Sequence, residues 1–590
     1  MIVKIPDPTT PITKTPTKPA ANYLYFHLQP LTMKSDIQLS QDSDIRDIHE
    51  IAEKLGILPE EVEPYGKHKA KIALSLLERV KRRRNGKLIL VTAMTPTRSG
   101  EGKTTVAIGL SEALNRIGKK SVVCLREPSV GPIVGMKGKG TGAGFAQVVP
   151  MEDINLHFTG DLGAVTAANN LLSAMLDNSI WRGNPQKIDS NTVVWRRCLD
   201  MIDRELRHAV VGVGDRTTGI TRSERFVITA ASEVMAILCL AQNVSDLKER
   251  LGNIMVATYD ANGNPVFARQ VNAHKAMATL MAEALKPNLV QTIENTPAFV
   301  HGGPFANIAH GTCSLLSMNM ARKLSDYVVV EAGFGSDLGA EKFFNITSRI
   351  GKFKVDAVVL VVTVRALKRH GGVKNKDLGK PDLKAIEAGI PNMLAHVKII
   401  RNHGFTPVIA LNRFTGDTDQ EIEVVKQQAE KHHLRFSVAD VYAKGGEGGE
   451  ELAEALLGNM AEQPGQHRFL YPLNMTMENK IRSIANEVYG LKRVNFTKRA
   501  RRQIAELTKH GFGNLPICMA KTQYSLSNNP KLLCVPPAST PCAITELSVS
   551  AGAGFIVAST ENINLMPGMP KRPLAENLDI DEDGWIKGLE

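Results

Sequence analysis

The sequence predicts an α/β protein of the P-loop NTPase type, a mainly parallel sheet with helices on both faces, joined by smaller α/β domains. Three observations carry this. A loop ending in Gly-Lys-Thr lies between a run of strand length and a segment of helical period. Further strand-length runs are almost wholly apolar, the pattern of parallel strands covered on both faces. The 590 residues, 43% of them apolar, supply interior for several domains.

Lys87 to Ala93 (KLILVTA) reads as the first buried strand. After a Thr-, Pro-, Ser- and Gly-rich loop, Ala107, Leu110, Leu114 and Ile117 recur at spacings of three and four from a start at Lys103, and Gly118 stops that helix. Ser121 to Leu125 (SVVCL) is apolar again, which completes one βαβ unit. Tyr327 to Glu331, Ala357 to Val364 and Pro407 to Leu411 are further strands, with ligands expected at their carboxyl ends. Beyond about residue 460 come charge-patterned helices, then short strands separated by Gly and Pro, as at Ala551 to Phe555. The expected division is a tail or upstream start over residues 1–33, a P-loop domain over 34–364, a second α/β domain over 365–460 and a C-terminal α+β domain over 461–590.

Composition narrows the function classes. Seven scattered cysteines without a C-x-x-C pair fit a reducing cytoplasm rather than a zinc or disulfide scaffold. No run reaches the ~18 to 20 apolar residues of a membrane span, and the first 33 residues lack the arginines of a transit peptide. The net charge of +12 suits nucleic acid, a membrane surface or a polyanionic small substrate. The dense basic runs, Arg79 with Lys81 to Arg84 and Lys498 to Arg502, have no interleaved aromatics and read as solvated helix surface, so no nucleic-acid partner is expected.

The sharpest local signal is Thr97-Arg98-Ser99-Gly100-Glu101-Gly102-Lys103-Thr104. It matches a phosphate-binding loop except that Thr97 stands where the pattern opens with Gly. Loop N–H groups and the helix amino terminus converge on an anion, Lys103 reaches terminal phosphates, and the Thr104 hydroxyl suits magnesium carried with ATP. The next strand end delivers Arg126, followed by Lys137, Lys139 and glycines through Gly144. Arg126 offers a planar fork for phosphate or carboxylate, and a surface ion pair explains it equally well. Downstream, PMEDINLHFTGD gathers acid, imidazole and amide groups. His157 there has a structural reading as well as a catalytic one, and Asp161 is placed to orient magnesium or a lysine.

The blocks TPTRSGEGKTT, LREPSVGP, QVVPMEDINLHFTGD, TAANNLL, TPAFVHGGPFANIAHG, EAGFGSDLGAEKFF, VRALKRHGG and AKTQYSLS closely resemble formate–tetrahydrofolate ligases, from about residue 34 to 590. The resemblance implies ATP-dependent ligation of formate to tetrahydrofolate through formyl phosphate, giving 10-formyltetrahydrofolate, ADP and phosphate. It implies a monofunctional enzyme, since the 33 unmatched residues are too few for a fused dehydrogenase domain. By the same carry-over Arg126 holds formate and then formyl phosphate with Lys103 nearby, Asp161 joins the catalytic set, and Phe334, Phe414 and Tyr442 line the pterin slot. Without the resemblance, Phe414 and Tyr442 read as core. A homotetramer and stimulation by potassium or ammonium are also implied.

Two departures from the family pattern, Lys139 in the glycine segment and Gly163 after Thr159-Gly160-Asp161-Leu162, are expected near the formate site. They leave open a catalytically weakened folate- or nucleotide-binding homologue. A basic nucleic-acid-binding ATPase is the remaining alternative. Asp579 to Gly584 with Glu590 satisfies an EF-hand calcium pattern but lacks flanking helices, so a terminal hairpin turn is expected instead.

Overall fold

Side chains alternate along the strand Lys87–Ala93: Leu88 and Leu90 enter one hydrophobic core, Ile89, Val91 and Ala93 the other. The same alternation in Val328/Val329, Val358/Val359 and Ile409/Ala410 puts a dry layer on each face of one sheet. Each valine so buried contributes about 1.5–3 kcal/mol, which is why these runs are apolar at both parities. The structure, a computed structural model, describes residues 34–137, 139–215, 217–561 and 563–589.

The central sheet has twelve strands: β1 (Val62–Pro64), β2 (Ala70–Ile72), β3 (Lys87–Ala93), β4 (Ser121–Leu125), β5 (Gly142–Ala143), β6 (Ala146–Val149), β7 (Asn288–Thr292), β8 (Pro297–Val300), β9 (Tyr327–Glu331), β10 (Ala357–Val362), β11 (Val408–Asn412) and β12 (Phe436–Ala439). Their order is β1-β2-β7-β8-β4-β9-β3-β10-β11-β12, with β6 paired to β7 and β5 to β6. From β8 to β12 every neighbouring pair is parallel, while β1, β2 and β7 pair antiparallel. The loop strand β3 is therefore central, flanked by β9 and β10.

The βαβ unit forms as the sequence reads, with helix α1 at Lys103–Arg116 and Gly118 at φ 76° behind it. Two strand limits differ. The apolar run through Val364 breaks at Val362, because the Thr363 side chain accepts the Ala366 N–H and caps a helix over Val364–His370. Ala551 to Phe555 is mainly the turn between strands Glu546–Ser550 and Phe555–Ser559. The segment 365–460 supplies β11 and β12 to the same sheet, so the parallel layer continues past residue 364.

Beyond residue 470, helices Met477–Glu487 and Lys498–Lys509 pack with two small sheets around Ile481, Ile484, Tyr489, Ile517, Ile544 and Ile556. Ile399, from helix Leu383–Asn402, shares that core and ties it to the rest. The basic runs carry partners: Arg79 binds Glu61 at 2.5 Å and Arg499 binds Glu546 at 2.6 Å. The terminal acidic stretch is a hairpin, Asp579–Ile580 against Ile586–Lys587, with Asp581 accepting the Asp583 and Trp585 N–H groups. Residues 1–33 and Glu590 lie outside the described residues. Among the described residues no helix is long and apolar enough to cross a membrane.

Candidate active site

Between β3 and α1, Gly100 and Gly102 adopt left-handed φ of 78° and 71°, the backbone form that glycine takes without strain. A Cβ on Gly102 would stand 2.2 Å from Asn412 Nδ2, so only glycine lets the end of β11 close on the loop. Asn412 Nδ2 donates to the Glu101 carbonyl at 3.0 Å. The Glu101 side chain turns inward, accepting the Thr97 N–H at 2.5 Å and the Thr363 hydroxyl. Burial pushes its carboxyl up, against these hydrogen bonds and Lys103. This explains the unusual Thr97: it is not in a left-handed conformation, and its N–H is spent on Glu101. Arg98 and Ser99 are exposed at the loop tip, and Lys103 and Thr104 are half-buried at the helix start.

Glu331, the last residue of β9, organises what faces the loop. It accepts the Thr104 hydroxyl at 2.8 Å through Oε2 and lies 3.5 Å from Arg126 Nη2 through Oε1. Arg126 follows β4, on the far side of β9 from β3. A Cβ on Gly333 would meet Arg126 Nη1 at 2.9 Å, so this glycine lets the guanidinium lie along the backbone. Burial first and then Arg126 lower the Lys103 ammonium, opposed by Glu331 and Glu101. Lys137 joins the same field: although it reaches solvent, desolvation, Arg126 and Lys103 bring it down to about 8 against Glu331. Lys103 and Arg126 thus both lie in the field of one carboxylate, Glu331.

Asp161 stands apart from the loop. It opens helix α2 (Asp161–Trp181) behind left-handed Gly160, is buried, and binds Lys71 Nζ at 2.7 Å and Asn288 Nδ2 at 2.8 Å. Among the described residues it makes no hydrogen bond or ion pair with Lys103 or Thr104. Of the two roles foreseen for it, it orients a lysine, Lys71. Its carboxylate also bears on Glu127, whose own carboxyl is pushed well up by burial and then by Asp161.

The aromatic residues line the same sheet edge. Phe334 is half-buried with φ 62°, three residues after Glu331. Phe414 follows β11, with the Arg365 guanidinium 5.0 Å over its ring. Tyr442, in the helical turn after β12, is 39% exposed and packs on Gly144, while its carbonyl accepts the Phe145 N–H at 2.9 Å. Phe414 and Tyr442 stand at adjacent strand ends, two and three strands from β3, or about 10–15 Å along the edge.

Lys139 pairs with Asp36, whose other oxygen accepts the Gly144 N–H at 2.7 Å. Gly163 is exposed, with open space where a Cβ would be. A cavity of about 850 Å³ lies elsewhere, lined by Trp195, Arg196, Arg225 and Arg499, and none of the loop residues borders it. Sequence reasoning passed over Glu331 and gave Lys137 no role. The available signal was a carboxylate ending a run read as a strand; its place beside the loop strand comes from the sheet order.

Among the described residues no cluster of His, Cys, Asp and Glu is arranged to hold a resident metal. The Thr104 hydroxyl and Glu331 carboxylate, hard oxygens 2.8 Å apart beside the loop, do fit magnesium bound to a nucleotide. A family model described as formate–tetrahydrofolate ligase matches residues 34–590, nearly the whole chain. The chain therefore belongs to the formate–tetrahydrofolate ligases, which are ATP-dependent enzymes.

Proposed function

We propose that the chain ligates formate to tetrahydrofolate in two stages along the carboxyl edge of β4, β9, β3, β10, β11 and β12. The observation that carries this is Glu331, which holds the Thr104 hydroxyl at 2.8 Å and lies 3.5 Å from Arg126 beside the left-handed loop, within the electrostatic reach of Lys103 and Lys137. Three cations around one carboxylate leave surplus positive charge for a triphosphate and a small acid. In the first stage a formate oxygen attacks the terminal phosphorus, the bond to ADP breaks, and formyl phosphate forms. In the second the folate amine attacks the formyl carbon, phosphate leaves with the bonding pair, and the amine proton is released.

The protein's share is positioning and charge neutralisation. Loop N–H groups and Lys103 hold the phosphates, and Arg126 holds the carboxylate in line. Magnesium carried with ATP would be held by Thr104 and Glu331, where it neutralises phosphate charge. Phe414 and Tyr442 receive the pterin, with Phe334 at the wall between the two subsites. The positions of Lys139 and Gly163, turned to Asp36 and to solvent, support an unweakened site.

The test is formation of formyltetrahydrofolate from formate, ATP and tetrahydrofolate, with ADP released in equal amount. ADP release indifferent to formate would overturn the reading. ADP release stimulated by nucleic acid would favour the ATPase alternative.

A further inference from the structure

His310 is fully buried, and neither of its ring nitrogens has a hydrogen-bond partner among the described residues. A buried imidazole without partners costs about 1–3 kcal/mol, so its place in the fold needs a reason. Its surroundings give one. The turn carrying it, Ala306 to Gly311, is locked against the Arg126 region: Gly333 N–H donates to the Gly311 carbonyl at 3.0 Å, and Lys342 Nζ donates to the Ala306 carbonyl at 2.5 Å. A Cβ on Gly333 would strike Ala306 Cβ at 2.7 Å and Arg126 Nη1 at 2.9 Å, so turn, glycine and guanidinium are in contact distance of one another.

Among the described residues Arg126 Nε, Asn307 Oδ1 and Glu127 Oε2 are likewise buried without a hydrogen-bond partner. Burial, then Arg126, Lys342 and Arg250, push the His310 ring down to about 3, so it is neutral, with one N–H donor and one acceptor. A neutral donor in the positive field of Arg126, Lys342 and Arg250 has the environment of an anion site rather than of a proton carrier.

We propose that His310 is a substrate-contacting residue whose ring N–H donates to the formate oxygen that becomes the carbonyl oxygen of formyl phosphate, while Arg126 grips the carboxylate from the other side. This rests on the ligase reading above and adds a second recognition group to it. A donor at that oxygen distinguishes the reacting oxygen from the one retained, and it polarises the carbonyl when the folate amine attacks.

The experiment compares wild type, His310→Leu and His310→Gln in the formate-dependent assay, with ATP affinity measured by calorimetry and folding by thermal melting. Losing one hydrogen bond to a charged group predicts a KM for formate about 10- to 100-fold higher in His310→Leu, with ATP affinity within about twofold of wild type. His310→Gln, which keeps a donor and an acceptor, recovers most of the loss. A formate KM within about twofold of wild type in folded His310→Leu overturns the proposal, as does an equal loss of ATP affinity. If the leucine variant does not fold, His310→Asn, polar but shorter, carries the comparison: a raised formate KM at unchanged ATP affinity supports the contact, and an unchanged KM overturns it. Absence of formate-dependent product in wild type would overturn the ligase reading itself.

Discussion

The Thr104 hydroxyl donates to Glu331 Oε2 at 2.8 Å, joining the first turn of α1 to the end of the neighbouring strand β9. Glu331 lies at the same time 3.5 Å from Arg126. One carboxylate therefore sets the spacing between the nucleotide loop and the arginine proposed for formate. Glu331→Gln keeps the shape but removes the charge, so the magnesium concentration giving half-maximal activity should rise about 10- to 100-fold. A magnesium titration at fixed ATP checks this; an unaltered midpoint would remove Glu331 from the metal's shell.

Lys103→Ala should reduce turnover by at least about 1,000-fold, because phosphoryl transfer at such a loop depends on charge neutralisation more than on any covalent chemistry. Folding should be retained. The ammonium is held down chiefly by burial, so its removal relieves a desolvation cost. Steady-state rates with a thermal melt separate the two effects, and activity near wild type would contradict the assigned role.

The sheet was legible because both-faced burial leaves runs such as KLILVTA with no polar parity, and the loop because Gly100, Gly102, Lys103 and Thr104 sit at fixed offsets. Glu331 was not, since a carboxylate at a strand end acquires meaning only when β9 is known to lie beside β3, a pairing that joins residues more than 200 positions apart. Asp161 shows the converse. Its neighbourhood in sequence looks catalytic, yet its partner Lys71 lies 90 residues upstream, and only the fold makes the pair visible. Sequence adjacency likewise does not reveal direction at the two departures: Lys139 pairs with Asp36, and Gly163 opens to solvent.

Asp161 and Lys71 form an ion pair that is almost wholly removed from water. Asp161→Ala leaves the lysine charge buried without its counter-ion and should destabilise the protein by about 3–5 kcal/mol. Denaturant unfolding measures this. Replacing both residues by apolar ones of similar volume should restore much of the loss, whereas a purely catalytic Asp161 would leave stability unchanged in the single variant.

Lys137 sets a pH limit. Its ammonium is brought down to about 8, so in the free enzyme it loses its proton, and its pull on phosphate, as pH rises through that value. Second-order rates for ATP should fall on the alkaline side with a midpoint near 8, and in Lys137→Met that limb should disappear at a lower plateau. For stability the sign is opposite. Between about 8 and the ordinary lysine value of 10.5 the unfolded chain binds the extra proton, so this group's contribution rises with pH across that window. A pH–rate profile of both proteins checks the first statement, and an alkaline limb retained in Lys137→Met would assign it to another group.

Tyr442 is 39% exposed at the end of β12 with its back on Gly144, which leaves a ring face available to a planar ligand. Stacking and burial of a ring on that face predict that Tyr442→Ala raises the KM for tetrahydrofolate about tenfold, with the KM values for ATP and formate held within about twofold. Tyr442→Trp offers a larger face and should lower the tetrahydrofolate KM below wild type. The backbone of Tyr442 also accepts the Phe145 N–H, a bond that any side chain preserves, so neither substitution should move the strand end. If alanine left the folate KM unchanged while tryptophan raised it, the pterin would have to sit against Phe414 alone.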